Sequence, residues 1–230
     1  MRGNGYMKSK ETKTLTIGLL LIGAFVVWTA LIQIVNVQAV GQNGTDVGFA
    51  TLNMWFHNMT GVHMWIYVVT DWLGLVPVFV CMIFAGIGFA QLVKRRSFIK
   101  VDCDIIFLGI YYIVVIFNYL IFEMIPINYR PILIQGIMEA SYPSSTTLLV
   151  LSVMPTLIFQ GNRRLKNETA KKIICIFTYV FSVFMVVGRL ISGVHWFTDI
   201  VGSVMFSAGV FYIYKAVVLY TDKKKNSREI

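Results

Sequence analysis

The chain has 230 residues, 57% of them hydrophobic, with 20 lysines and arginines against 11 acidic residues and a net charge of +9; its mean hydropathy is +0.72. An ordinary soluble domain carries roughly a quarter of charged residues, so 13% here excludes that class. The basic residues form no single patch but alternate with charge-free stretches, which points to membrane topology rather than nucleic-acid binding.

The charge-free runs are 14–45, 72–93, 105–122, 140–162, 173–188 and 200–214. A helix needs about 20 apolar residues to cross roughly 30 Å of hydrocarbon. The first four runs meet that length. The fifth extends past Lys172 and the sixth past Lys215, whose long stems snorkel to the interface. The expected fold is an all-α membrane protein with six transmembrane helices. The run starting at Thr14 is too long for a cleaved signal core of about 7–15 residues and is read as an anchor.

Of the 20 cationic side chains, 18 fall in the amino-terminal tail, in 94–100, in 163–172, or in Lys215 and the carboxyl-terminal tail. By the positive-inside rule both termini and the loops 94–104 and 161–172 are cytoplasmic, and loops 36–63, 123–141 and 189–194 are external. The organisation expected is a tail, first helix and outer interfacial loop over 1–69, a five-helix core over 70–220, and a basic tail over 221–230. Both tails are read as mobile and drawn to anionic inner-leaflet lipid. In the first outer loop Phe49, Leu52, Phe56 and Met59 recur at helical spacing, which suits an amphipathic helix in the headgroup layer with Trp55 and Trp65 as anchors.

Cys81, Cys103 and Cys175 lack an outer-face partner, so no disulfide framework is expected. With three scattered histidines and no Cys-x-x-Cys, neither a metal nor another cofactor is implied.

The two remaining cations are Arg130, in NYRPI, and Arg189, in GRLISGVHWFTD. An ionisable residue at membrane depth is a functional hypothesis by default, and a guanidinium fork matches phosphoryl oxygens. His195 and Asp199 stand four apart, on one face if helical. The carboxylate would accept one imidazole N–H and leave the other nitrogen as a base or nucleophile. Ser144, Ser145 and Thr146 follow Pro143 and open the fourth helix, where hydroxyls and free N–H groups cradle an anion or simply cap the helix.

These motifs resemble the type 2 phosphatidic acid phosphatases. That family's signature is lysine, six residues, arginine–proline; then proline–serine–glycine–histidine; then serine–arginine, five residues, histidine, three residues, aspartate. Arg130–Pro131, Pro143–Ser144 and the spacing of Arg189, His195 and Asp199 match, over roughly residues 70–220. The resemblance implies a phospho-histidine on His195, oriented by Asp199, with Arg130, Arg189 and Ser144 holding the phosphoryl oxygens beside Ser145 and Thr146. It implies a multi-pass phosphatase of the cell membrane, its site on the outer face and a lipid phosphate or diphosphate as substrate. Gly188 replaces the family serine, Glu123 its lysine, Ser145 its glycine, and Thr146 the histidine that protonates the leaving group. His57, His63 and Glu123 are the candidates to supply that proton; Asp71 is read as an interfacial or capping residue. A leaving group able to depart as an anion is then favoured, hence a preference for a polyprenyl diphosphate. The alternatives are a lipid phosphotransferase or a non-catalytic lipid-phosphate binder. Oligomeric state is not encoded in any readable pattern.

Overall fold

The structure is a computed structural model and describes residues 3–227, with side chains from residue 10 onward. Among the described residues it is built of helices: α1 (Gly3–Ile32), α2 (Ala50–Thr60), α3 (Met64–Leu73), α4 (Leu75–Arg95), α5 (Cys103–Met124), α6 (Ser145–Arg164), α7 (Glu168–Ile191) and α8 (Phe197–Asn226). Five stretches are long and apolar enough to cross a membrane: Lys10–Ile32, Met64–Arg95, Cys103–Met124, Glu168–Ile191 and Phe197–Asn226.

Four boundaries differ from the expectation. The first apolar run reaches Thr45, yet α1 ends at Ile32; the chain then turns through Asn36, whose φ is +46°. The second helix begins at Met64 rather than Trp72, because Asp71 lies on an exposed face and does not interrupt the helix. The tails are helical rather than mobile over their described parts: α1 begins at Gly3 and α8 continues to Asn226. Lys223 lies 3.8 Å from Glu11, joining the amino-terminal end of α1 to the carboxyl-terminal end of α8. Residues 1–2 and 228–230 of the expected tails lie outside the described residues.

Helix α6 is 20 residues long but too polar to qualify with the five apolar spans. Its polar groups face inward. Ser152 donates to Ser207 of α8 at 3.1 Å, and Tyr111 of α5 donates to the Ser152 carbonyl at 2.8 Å. Thr156 meets the Tyr112 hydroxyl at 2.7 Å, and Gln160 donates to Tyr214 at 2.6 Å. A buried polar group without a partner costs on the order of 1–3 kcal/mol, so this seam fixes the register of α6 against α5 and α8. The apolar core lies around it and includes Leu148, Val153, Met154, Phe206 and Val210.

One end of the bundle is laced by ion pairs. Arg163 bridges Asp104 and Asp222, and Arg164 bridges Asp102 and Asp104. Arg95 pairs with Asp102 at 2.7 Å. Burial pushes the Asp102 carboxyl up, but hydrogen bonds from Arg95, Arg164 and Gln91 outweigh it and hold the group below its ordinary value.

Candidate functional site

The opposite end gathers the motifs around Arg130, Ser144 and His195. The loop between α5 and α6 doubles back on itself: Tyr129 bridges Ala140, Arg130 N–H donates to the Glu139 carbonyl at 3.0 Å, and Ser141 N–H donates to the Asn128 carbonyl at 2.9 Å. This pairing sets Arg130 opposite Glu139, and their side chains form an ion pair at 3.0 Å. The turn between α7 and α8 carries His195. It begins at Gly193, whose φ of +72° and close approach to the Gly61 carbonyl both require the absence of a side chain. His63 N–H donates to Ser192 O at 3.0 Å and ties the start of α3 to the same turn.

His195 is 4% exposed, and its Nδ1 lies 3.1 Å from the Ser141 carbonyl oxygen. A carbonyl only accepts, so Nδ1 carries the proton and Nε2 presents a lone pair. Asp199, fully buried, has Oδ2 3.6 Å from Nδ1, while the same oxygen accepts the Trp196 N–H at 2.9 Å. Asp199 thus stands behind the imidazole and also closes the first turn of α8. Burial holds His195 well below its ordinary pKa, and the charges of Arg189 and Arg130 add to that.

Nε2 of His195, Nε and Nη1 of Arg130 and Nε of Arg189 are buried and have no hydrogen-bond partner among the described residues. Buried polar groups are almost always satisfied, so unpartnered donors next to an unpartnered imidazole nitrogen describe a site for an anion. A cavity of about 220 Å³ opens there, lined by Arg130, Ser145 and His195 together with Glu123, Glu139 and Tyr119.

The other expected residues stand behind this wall. Arg189 is 1% exposed and reaches toward α3, with Nη1 3.4 Å from the Thr70 hydroxyl and 3.7 Å from Asp71. Ser144 caps α6, its hydroxyl donating to Thr147 at 3.1 Å and its carbonyl accepting from Ser203 at 3.0 Å. Thr146 is buried and turns toward the break between α3 and α4: an added Cβ at Gly74 would lie 3.5 Å from its methyl. His63 is spent on the Thr60 carbonyl at 2.9 Å, and His57 sits 5.7 Å from the Trp196 ring, burial lowering its pKa. Of the three candidate proton donors, Glu123 alone is on the cavity wall.

Sequence reasoning missed Tyr67, Asn128, Glu139 and Ser141. Asn128 Nδ2 is 3.5 Å from Asp199 Oδ1, and the Tyr67 ring lies under both arginines. The one available signal was the polar character of 128–141 between apolar helices. Helix α2 forms as expected: Trp55 and Met59 are exposed, whereas Asn53 is buried and bonded to Thr198 across to α8.

No curated protein matches the sequence. A family model described as the PAP2 superfamily matches residues 14–223. The fold is similar to the crystal structure of a transmembrane PAP2-type phosphatidylglycerolphosphate phosphatase from Bacillus subtilis. That similarity has a TM-score of 0.60 at 19% identity and covers 90% of this chain and 96% of the other.

Proposed function

The chain belongs to the PAP2 superfamily, and from that membership we propose that it is a multi-pass membrane lipid phosphatase. The observation that carries the reading is the meeting of His195 Nε2 and the free edge of Arg130 at one cavity, with the unpartnered Nε of Arg189 buried behind its wall. In the proposed reaction Nε2 attacks the phosphorus, the bond to the leaving oxygen breaks, and a phospho-histidine forms. Its positive ring is stabilised by the Ser141 carbonyl and Asp199 at Nδ1. Arg130, Arg189, Ser145 and the start of α6, capped by Ser144, hold charge on the phosphoryl oxygens, with Thr146 in the same turn facing the α3–α4 break. Water then attacks phosphorus and frees Nε2 as inorganic phosphate leaves. No metal enters the steps, and among the described residues no group of three or more potential ligands gathers.

Six membrane crossings follow if α6 spans with the five apolar segments, its polar face satisfied by α5 and α8. The ion-paired, cation-rich end is then cytoplasmic, and the site lies on the outer face of the cell membrane.

The preferred substrate is a polyprenyl diphosphate. Position 146 offers no imidazole, and losing a general acid costs about 10²–10⁴-fold, or roughly 3–5 kcal/mol. An alkoxide, whose conjugate acid has a pKa near ~15.7, bears that cost in full. A lipid monophosphate, with a second pKa of about 6, leaves as an anion. Glu123 on the cavity wall opposes a second phosphate, so the preference rests on the leaving-group effect. Phosphate release by purified protein in detergent with a chelator, from prenyl diphosphate and from phosphatidate, tests this; faster cleavage of phosphatidate refutes the preference.

A second reading, a non-catalytic binder of lipid phosphate, is favoured by Thr146 turning away from the cavity. It predicts phosphate-dependent stabilisation without turnover. Transfer of the phosphoryl group to an acceptor other than water would appear as acceptor-dependent turnover without free phosphate.

A further inference from the structure

We propose that Tyr67 of α3 is a positioning residue, the seat that holds Arg130 and Arg189 together as one phosphoryl clamp; this rests on the lipid-phosphatase reading above. The guanidinium carbon of Arg189 lies 4.9 Å from the centre of the Tyr67 ring, and that of Arg130 lies 5.7 Å from it. One aromatic ring therefore serves two cations that otherwise repel each other in a buried setting.

The polar contacts of Arg189 do not fix it. Nη1 stands 3.5 Å from the Tyr67 carbonyl, 3.4 Å from the Thr70 hydroxyl and 3.7 Å from Asp71. Each is long for a charge-assisted hydrogen bond, which falls near 2.7–2.9 Å. The negative face of the ring is an attraction without a sharp angular demand. It holds the guanidinium by its plane and leaves the Nε edge free for a ligand, as observed. Arg130 is drawn the other way by Glu139 at 3.0 Å. Without the ring, Arg130 would relax toward Glu139 and Arg189 toward Asp71, widening the clamp.

The close approach of α3 that this needs depends on Gly188. A Cβ there would stand 2.8 Å from the Thr70 methyl, so the side chain that the family carries at 188 would push α3, and Tyr67 with it, away from Arg189. Thr70, fully buried, fills that space with its methyl group and turns its hydroxyl to Arg189.

The test compares Tyr67→Phe, which keeps the aromatic face, with Tyr67→Leu, which removes it, in full-length protein in detergent. Two quantities are read: KM and kcat for prenyl diphosphate, and the orthovanadate concentration giving half-maximal thermal stabilisation. Tyr67→Phe should stay within about threefold of the parent in both. Tyr67→Leu should raise KM and the orthovanadate midpoint on the order of tenfold while its Tm without ligand stays close to that of Tyr67→Phe. Should Tyr67→Leu not fold, Tyr67→Met takes its place, keeping bulk without the aromatic face.

Equal behaviour of the Leu and Phe variants overturns the seat while leaving a working phosphatase in place. Orthovanadate binding by the parent without turnover, lost in Tyr67→Leu, keeps the seat and removes the phosphatase reading. A parent that neither binds nor turns over removes both.

Discussion

The two ends of the bundle use arginine in opposite ways. At the end proposed to be inner Arg95, Arg163 and Arg164 are matched to Asp102, Asp104 and Asp222, and each bridge is between 2.7 and 3.2 Å. At the outer end Arg189 meets one carboxylate at 3.7 Å, Arg130 meets one at 3.0 Å, and three of their buried nitrogens have no partner. A buried cation left short of partners is costly, so the outer end carries a deficit that a phosphoryl group would fill. Among the described residues the inner end has no such deficit, and it acts as a brace across α4, α5, α6 and α8. Burial and residue type alone do not separate the two sets of arginines; which of their nitrogens are left unpartnered does.

The largest effect expected is on chemistry at the outer end. His195→Ala should reduce phosphate release by at least about 10³-fold, because no other group can form the covalent intermediate. Its secondary structure and thermal unfolding should stay close to the parent's. Next come paired substitutions that set one end against the other. Arg189→Ala should lower kcat by about 10²-fold or more with little loss of stability, since the residue's own contacts are long. Arg164→Ala should do the reverse, costing roughly 1–3 kcal/mol of stability by urea or thermal unfolding and leaving kcat within twofold. If Arg164→Ala depressed turnover as strongly as Arg189→Ala, the division between brace and site would break down.

A smaller effect separates the ends by pH. His195 is held below its ordinary value, so its charged form is disfavoured in the fold. Its contribution to stability is present above the unfolded value of about 6.5 and is lost as pH falls below it. The neutral nucleophile therefore persists below about 6.5, and the acid limb of kcat/KM should lie under that value. Asp102 is also held low, so its contribution is intact above about 3.9 and is lost as pH falls through the folded value. The two ends therefore respond to acid through different groups, His195 at the site and Asp102 at the brace. The smallest effect expected is from Thr146→His, which should raise phosphatidate cleavage more than diphosphate cleavage, since only the alkoxide lacks an acid. An equal gain on both substrates would argue against the leaving-group account.

Much of this was legible in the chain. The alternation of basic clusters with apolar runs marks the helices, and the spacing of Arg189, His195 and Asp199 marks the proposed site, because both are local patterns. Tyr67, Ser141 and Glu139 were not legible. Tyr67 reaches the site through tertiary packing of α3 on α7, more than 100 residues away in sequence, and no local period announces that. Ser141 acts through its carbonyl, which every residue possesses, so no side-chain motif could have flagged it. Glu139 depends on the doubling back of the 128–141 loop, whose register is set by backbone pairing. The start of α3 was misplaced because Asp71 looks like a membrane boundary, although an exposed helical face tolerates it. Helix α6 shows the converse: a polar composition hides in a helix whose Ser152, Thr156 and Gln160 are met by α5 and α8.

The central claim, that the unsatisfied outer cluster performs covalent phosphoryl transfer on His195, is tested most directly by trapping the intermediate. Purified protein is mixed with terminally labelled prenyl diphosphate, quenched in base, and the protein-bound label is then exposed to acid. The account predicts label that survives base and is released by acid in the parent, and none in His195→Ala. Label retained by His195→Ala, or phosphate released by the parent with no protein-bound label at any quench time, would contradict it.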